Sequence, residues 1–246
     1  MRLYDEIIRD ILTFLGEQDA HILPVGAAAD PVSRDWQDAG KAMMILQSDM
    51  AYELGGHNLP AVGNTLVTTG KDFVPEDEII LIGKDLPEIT EDTPYARIAL
   101  VRVAEGSIGT GDRLYNTIRN IGYFRYLIYP KGFMLRVSSS NDRESVRVEA
   151  EALNEGLNFT AIGNAMLRAL HLHKEVEAVR IIFVTDPKVD YGRLQDGLKK
   201  TKQITATIDH MLKDVNMDCG SCGLQEICDE IEGLREMHFG MSEEHT

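Results

Sequence analysis

The sequence predicts an α+β fold, with one main mixed sheet, flanking helices and a short cysteine-bearing C-terminal segment. Three observations carry that expectation. Short glycine-closed runs of β-formers fill the first half of the chain, and helical periodicities alternate with strands in the second half. The run "VEAVRIIFVTD" is almost continuously apolar, as expected of a central strand. All three cysteines then fall between Cys219 and Cys228. The implied organisation is an N-terminal helix and connection over 1–40, an α+β domain over 41–214 and a metal-binding tail over 215–246.

The elements follow in order. Leu3, Ile7, Ile8, Ile11, Leu12 and Leu15 recur at helical spacing and predict a helix over about 2–16. Residues 20–40, with two prolines, two glycines and the lone Trp36, read as a connection, the tryptophan serving as a packing anchor. "DMAYELGG", "NTLVTTG", "DEIILIG" and "YARIALVRVAEG" read as successive strands. "GDRLYNTIRNIGYFRYLIY" reads as a helix running into irregular chain, and "KGFMLRVSSS" as a strand. "DRESVRVEAEALNEG" is expected to be helical up to Gly156. "NFTAIGNAMLRALHLHKE" is a helix with Asn158 at its cap. After the central strand, a long helix, or two, begins beyond Asp186 with Pro187 near its first turn.

Composition bounds the function. The 246 residues carry 40 acids against 25 bases, a net charge of −15. That excess argues against nucleic acid and anionic membrane surfaces, which need a positive face. No run approaches the ~20 apolar residues that span a bilayer. The first 18 residues place acids inside an apolar pattern and read as an amphipathic helix, not a leader. A cytoplasmic protein is therefore expected.

In a reducing compartment, clustered cysteines suggest metal or redox chemistry. Cys219 and Cys222 are two residues apart, a spacing that lets a tight turn aim two thiolates at one centre, with Gly220 and Gly223 relaxing the backbone. Cys228 can supply a third corner and His238 a fourth. The ligand set suits a [4Fe–4S] cubane, a structural Cys3His zinc site or, through Cys219 and Cys222 alone, a redox dithiol. Plain reduced thiols remain the bland alternative. The surrounding acids (Asp218, Glu226, Asp229, Glu230, Glu232 and Glu236) read as a solvated face.

A second segment stands out in so acidic a chain. "RLYNTIRNIGYFRYLIYPKGFMLR" gathers Arg113, Arg119, Arg125, Lys131 and Arg136 with four tyrosines. Arginine forks suit phosphates and aromatic rings suit adenine. The competing reading is solvated charge and core tyrosine on an ordinary helix and strand.

The ordered series "SDMAYELGGHNLPAV", "DEIILIGKDLPEI", "KGFMLRVS", "GLNFTAIGNAML" and "VRIIFVTDPKVDYGRLQDGLKK", followed by "DCGSC", resembles the β subunit of the acetyl-CoA decarbonylase/synthase (carbon monoxide dehydrogenase/acetyl-CoA synthase) complex. The resemblance spans roughly residues 48–238, the family's middle domain and the start of its cluster domain. It implies anaerobic one-carbon metabolism of the Wood–Ljungdahl type, in which a methyl group, carbon monoxide and coenzyme A are joined. It further implies a cubane linked to nickel, whose first three ligands match Cys219, Cys222 and Cys228, with His238 near the place of the fourth. The basic segment would lie in the coenzyme A region, and the partner would be of the dehydrogenase/synthase type. The family's downstream Cys-x-Cys, which holds the outer nickel, has no match here, so acetyl-CoA synthesis by this chain alone is not expected. The expectation is an iron–sulfur or metal-binding accessory protein. The alternatives are an acyltransferase completed by a partner and a structural zinc module.

Overall fold

The computed structural model describes residues 3–26, 44–107, 112–126, 128, 130–138 and 143–213. Among them, α1 (Asp5–Gly16) opens the chain, followed by strands β1 (Ala20–Leu23), β2 (Met50–Leu54), β3 (Ala61–Thr68), β4 (Glu78–Ile82) and β5 (Tyr95–Val103). Helix α2 (Asp112–Gly122) runs into a 3₁₀ turn, Tyr123–Tyr126. Strands β6 (Phe133–Ser138) and β7 (Arg143–Glu149), helices α3 (Ala150–Asn154) and α4 (Phe159–Leu170), strand β8 (Val176–Val184) and helix α5 (Tyr191–Lys213) complete the order.

The expected mixed sheet is present, in the order β1-β4-β8-β5-β3. Its β4/β8 and β5/β3 pairs are parallel, and its β1/β4 and β5/β8 pairs antiparallel. Strand β8 is central, as its apolar run requires. Beside this sheet stands a second, antiparallel one of three strands, β2-β7-β6. The helix-capping expectation also holds: the Asn158 side chain accepts from the Ala161 amide at 2.8 Å.

Two expectations are corrected. Residues 143–149 form a strand and not the first turns of a helix. Glu144, Val146 and Val148 are buried while their neighbours are half-exposed, a period of two that pairs on both sides with β2 and β6. Only Ala150–Asn154 is helical. Residues 20–23, read as connection, form the edge strand β1. It is four residues long and almost wholly exposed, so it has no hydrophobic alternation to betray it. Trp36 lies outside the described residues, as does the segment after Lys213.

Side-chain alternation along β3 sorts the layers. Asn64 and Thr68 point to one face, where Asn64 donates to Thr201 of α5 at 3.1 Å and Thr68 donates to Asp5 of α1 at 3.0 Å. Helices α1 and α5 cover that face, joined by the Tyr4 hydroxyl and Thr205 at 2.9 Å. On the opposite face, Phe183 of β8 stacks on Phe159 of α4 at 4.5 Å between ring centroids, and Phe159 meets Phe133 of the small sheet edge-on.

One ion pair ties the two sheets together. Gly63 of β3 and Arg97 of β5 are register partners and so face the same way. With no Cβ at Gly63, the Glu144 side chain of β7 lies directly against the β3 backbone; any Cβ there would overlap its carboxylate. Glu144 accepts from Arg97 Nε at 2.5 Å and Nη2 at 2.7 Å, a bidentate pair in which neither side chain is more than 1% exposed. Arg97 Nη1 donates to the Asn64 carbonyl and the Thr65 hydroxyl, each at 3.3 Å. Burial opposes the Arg97 charge, and the Glu144 carboxylate more than restores it. The guanidinium also lies over the Phe124 ring at 5.0 Å, so the pair carries the 3₁₀ turn on its back.

Two outcomes test this architecture. Amide exchange is slowest across Arg180–Val184, flanked by strands on both sides, and fast at the β1 edge; the reverse order would contradict the sheet. Removing one member of the buried pair, by Arg97→Met or Glu144→Leu, costs about 3–5 kcal/mol, whereas the double variant costs well below the sum. Denaturant titration of the three proteins reads this, and additive costs would mean that the two side chains do not share one interaction.

Candidate functional site

A cleft of about 530 Å³ opens at β3, the outer strand of the main sheet, between α2 with its 3₁₀ turn on one side and α5 on the other. Each wall is a stripe at helical spacing. Tyr115, Ile118, Arg119 and Gly122 come from α2, and Leu198, Lys202, Thr205 and Asp209 from α5. Gly63, Asn64 and Thr65 form the floor beside the buried Arg97.

The polar surface of α5 is prepared by its threonines. Thr201 and Thr205 donate to the carbonyls four residues back, of Gly197 and Thr201, at 2.8 and 2.9 Å. Their hydroxyl lone pairs then serve Asn64 and Tyr4. The helix therefore turns a hydrogen-bonded ridge to the sheet, and Lys202 and Asp209 project beside it into the cleft.

Three cations line this space: Arg119, Arg125 and Lys202. Arg119 donates to the Tyr123 hydroxyl at 3.0 Å and lies over that ring at 5.4 Å. Arg125 lies over Tyr126 at 5.1 Å and approaches Glu144 Oε2 to 3.8 Å. Glu144 already serves Arg97 with both oxygens, so Arg125 receives only part of its field. Burial, and after it the Arg125 charge, lowers the Lys202 pKa. Tyr123 and Tyr126 stand at the mouth, partly exposed, with ring centroids 5.5 Å apart and planes tilted by 50°. The arrangement can receive a polyanion between the cations and a flat ring against the tyrosine pair. Beneath it, the Tyr95 hydroxyl is fully buried with no hydrogen-bond partner among the described residues, and burial, then Glu144, pushes its phenol well up.

Of the five basic residues singled out in the sequence, the fold brings two, Arg119 and Arg125, into this cleft. Arg113 is exposed on α2 and does not line it. Lys131 pairs with Glu155 at 3.0 Å. Arg136 pairs at 2.6 Å with Glu53, which also accepts from Arg147 at 2.8 Å. Burial opposes the Glu53 charge, but the two arginines outweigh it and hold the carboxyl below its usual range. Sequence reasoning missed Lys202 and the β3 floor. The signal available was the i, i+3, i+7 recurrence of Lys202, Thr205 and Asp209, a polar stripe within an otherwise amphipathic helix.

Cys219, Cys222, Cys228 and His238 lie outside the described residues. Among those described, no group of three or more His, Cys, Asp or Glu side chains could hold a metal ion. No described helix is long and apolar enough to cross a membrane.

No curated protein matches the chain. Residues 37–189 match the family described as the CO dehydrogenase/acetyl-CoA synthase complex beta subunit. The matched span takes in every strand of the two sheets except β1, together with the Arg97–Glu144 pair and the α2 wall of the cleft. With well over half its length matched, the chain belongs to the CO dehydrogenase/acetyl-CoA synthase complex beta subunit family.

Proposed function

We propose that this family member is a coenzyme A-binding accessory protein of anaerobic carbon monoxide and acetyl-CoA metabolism, carrying a [4Fe–4S] or related metal centre on its cysteine segment. The observation behind the first part is the cleft. In a chain of net charge −15, Arg119, Arg125 and Lys202 converge with Tyr115, Tyr123 and Tyr126 on one concavity. Coenzyme A is a polyphosphate with an adenine ring, and those residue types suit each part of it. The second part rests on Cys219, Cys222 and Cys228, with His238 as the fourth ligand; zinc is the alternative occupant. A protein partner of the dehydrogenase/synthase type fits the family's description as a complex subunit. The chemistry of acyl transfer would then belong to the assembled complex, with this chain presenting the thiol carrier.

Calorimetry tests the cleft. Coenzyme A binds, and more weakly as salt rises. Arg125→Ala and Lys202→Ala each weaken binding about tenfold, the worth of one charge-assisted hydrogen bond. Lys131→Ala, removing a cation engaged elsewhere, leaves the affinity unchanged. Absence of heat, or equal losses from all three variants, would refute the assignment.

The metal centre is tested by anaerobic reconstitution with iron and sulfide, read by absorption near 400 nm and metal analysis. Cys222→Ser abolishes loading because it removes the middle ligand, and Cys228→Ser weakens it strongly. His238→Ala has a smaller effect, since a cubane keeps three thiolates and accepts an exogenous fourth ligand. Full loading of Cys222→Ser would sink the proposal. A large effect confined to His238→Ala with zinc would make the site structural zinc.

A further inference from the structure

The small sheet, β2-β7-β6, has β2 and β6 at its sides. The β2 side is closed by Thr93, which bridges Leu54, accepts from the Gly55 amide at 2.7 Å and donates its own amide to the Glu53 carbonyl at 3.3 Å. The β6 side has no such cover. Every second residue of an outer antiparallel strand turns its N–H and C=O away from the neighbouring strand. Among the described residues, no hydrogen bond reaches the main chain of Met134–Val137 from that side. The side chains agree with an open edge. Leu135 and Val137 face the core and are still partly exposed, while their register partners on β7, Val146 and Glu144, are buried.

The face of this sheet turned away from the main sheet is basic. Alternation places Arg143 and Arg147 of β7 there with Met134 and Arg136 of β6, opposite the buried Glu144, Val146 and Val148. Arg136 and Arg147 converge on one oxygen of Glu53, at 2.6 and 2.8 Å, so a single carboxylate serves two guanidiniums. Arg143 donates Nη2 to the Gly55 and Leu59 carbonyls at 2.7 and 2.9 Å, partners that carry no charge. Glu149, the other acid of β7 on this face, stands at its far end, in the field of Lys131. In a chain of net charge −15, positive charge is thus in surplus beside an unpaired strand edge, and Arg136, on the edge strand itself, is 45% exposed.

We propose that the β6 edge takes up an extended acidic segment of a partner protein as a fourth strand of the small sheet. The inference is independent of the cleft and its ligand. Main-chain pairing supplies the affinity, and the side chains supply the choice of partner. Every second side chain of the added strand lies on the arginine face, and the ones between lie beside Leu135 and Val137. The sequence that fits therefore alternates carboxylates with apolar residues, and a carboxylate directly across from Arg136 gains a cross-strand ion pair. A second copy of this chain is the poorer occupant, because pairing two β6 edges brings two Arg136 side chains onto one face. The exposed β1 edge lacks this selectivity, since its residues, Ala20–Leu23, include no arginine or lysine.

The probe is an octapeptide alternating Glu and Val, offered to the full chain and read by fluorescence anisotropy and amide exchange. It binds, more weakly as salt rises, and it slows exchange in β6 while leaving β1 and the cleft walls unchanged. Two control peptides separate strand addition from charge attraction. One has the same composition in two blocks, and the other alternates but carries Pro at a central Val. Each binds about tenfold more weakly, the worth of one or two main-chain hydrogen bonds. Arg136→Gln leaves Glu53 its Arg147 partner and weakens the alternating peptide about threefold. Equal affinity for all three peptides would make this a site for negative charge of any kind and overturns the proposal. So does protection confined to β1 or the cleft walls, or the absence of binding. A chain that is dimeric, with β6 already protected before peptide is added, overturns it in favour of a second copy.

Discussion

The buried Arg97–Glu144 pair is the constraint on which the rest of the structure hangs. Taking two charges out of water is costly, and their attraction repays it only when geometry is good and the remaining donors are satisfied. Here both conditions shape the chain. Strand β7 must lie close enough for Glu144 to reach Arg97, and Gly63 supplies that closeness by leaving no side chain in the way. Thr65 and the Asn64 carbonyl then take the spare guanidinium donor. The second sheet is thus held against the first by a polar contact of fixed direction, where apolar packing alone would permit sliding.

That contact also sets the site. The 3₁₀ turn rides on it through Phe124, and the same turn carries Tyr123, Arg125 and Tyr126. Arg125 sits at the edge of the Glu144 field, near enough to be steered and too far to be neutralised as Arg97 is. The opposite wall comes from α5, whose position follows from α1 and the β3 floor through Tyr4, Thr205, Thr201 and Asn64. A concentration of positive charge at one edge of a strongly acidic protein therefore arises from packing on both sheet faces. It is no accident of surface composition.

Much of this was legible from the sequence. The apolar run of β8 announced a strand flanked on both sides, and the Asn158 cap and glycine-closed strands were local signals that tertiary structure respected. Of the five cations in the basic–aromatic segment, Arg119 and Arg125 line the cleft. Lys131 and Arg136 are drawn away by Glu155 and Glu53, partners far off in sequence that no local pattern reveals, and Arg113 faces outward on α2. Residues 143–149 misled because their charges suit a helix and their burial suits a strand; the buried Glu144 disguised the alternation that Val146 and Val148 carry. Nothing near Arg97 in the chain shows that a carboxylate, Glu144, meets it from the second sheet.

The central proposal is that this cleft receives a phosphorylated carrier. Amide exchange measured with and without saturating coenzyme A tests it most directly. The account predicts that protection rises across residues 115–126 and 198–209, the two walls, and stays unchanged in β6 and around Lys131. Protection confined to the Lys131–Arg136 side, or no change in either wall while ligand is bound, would contradict it.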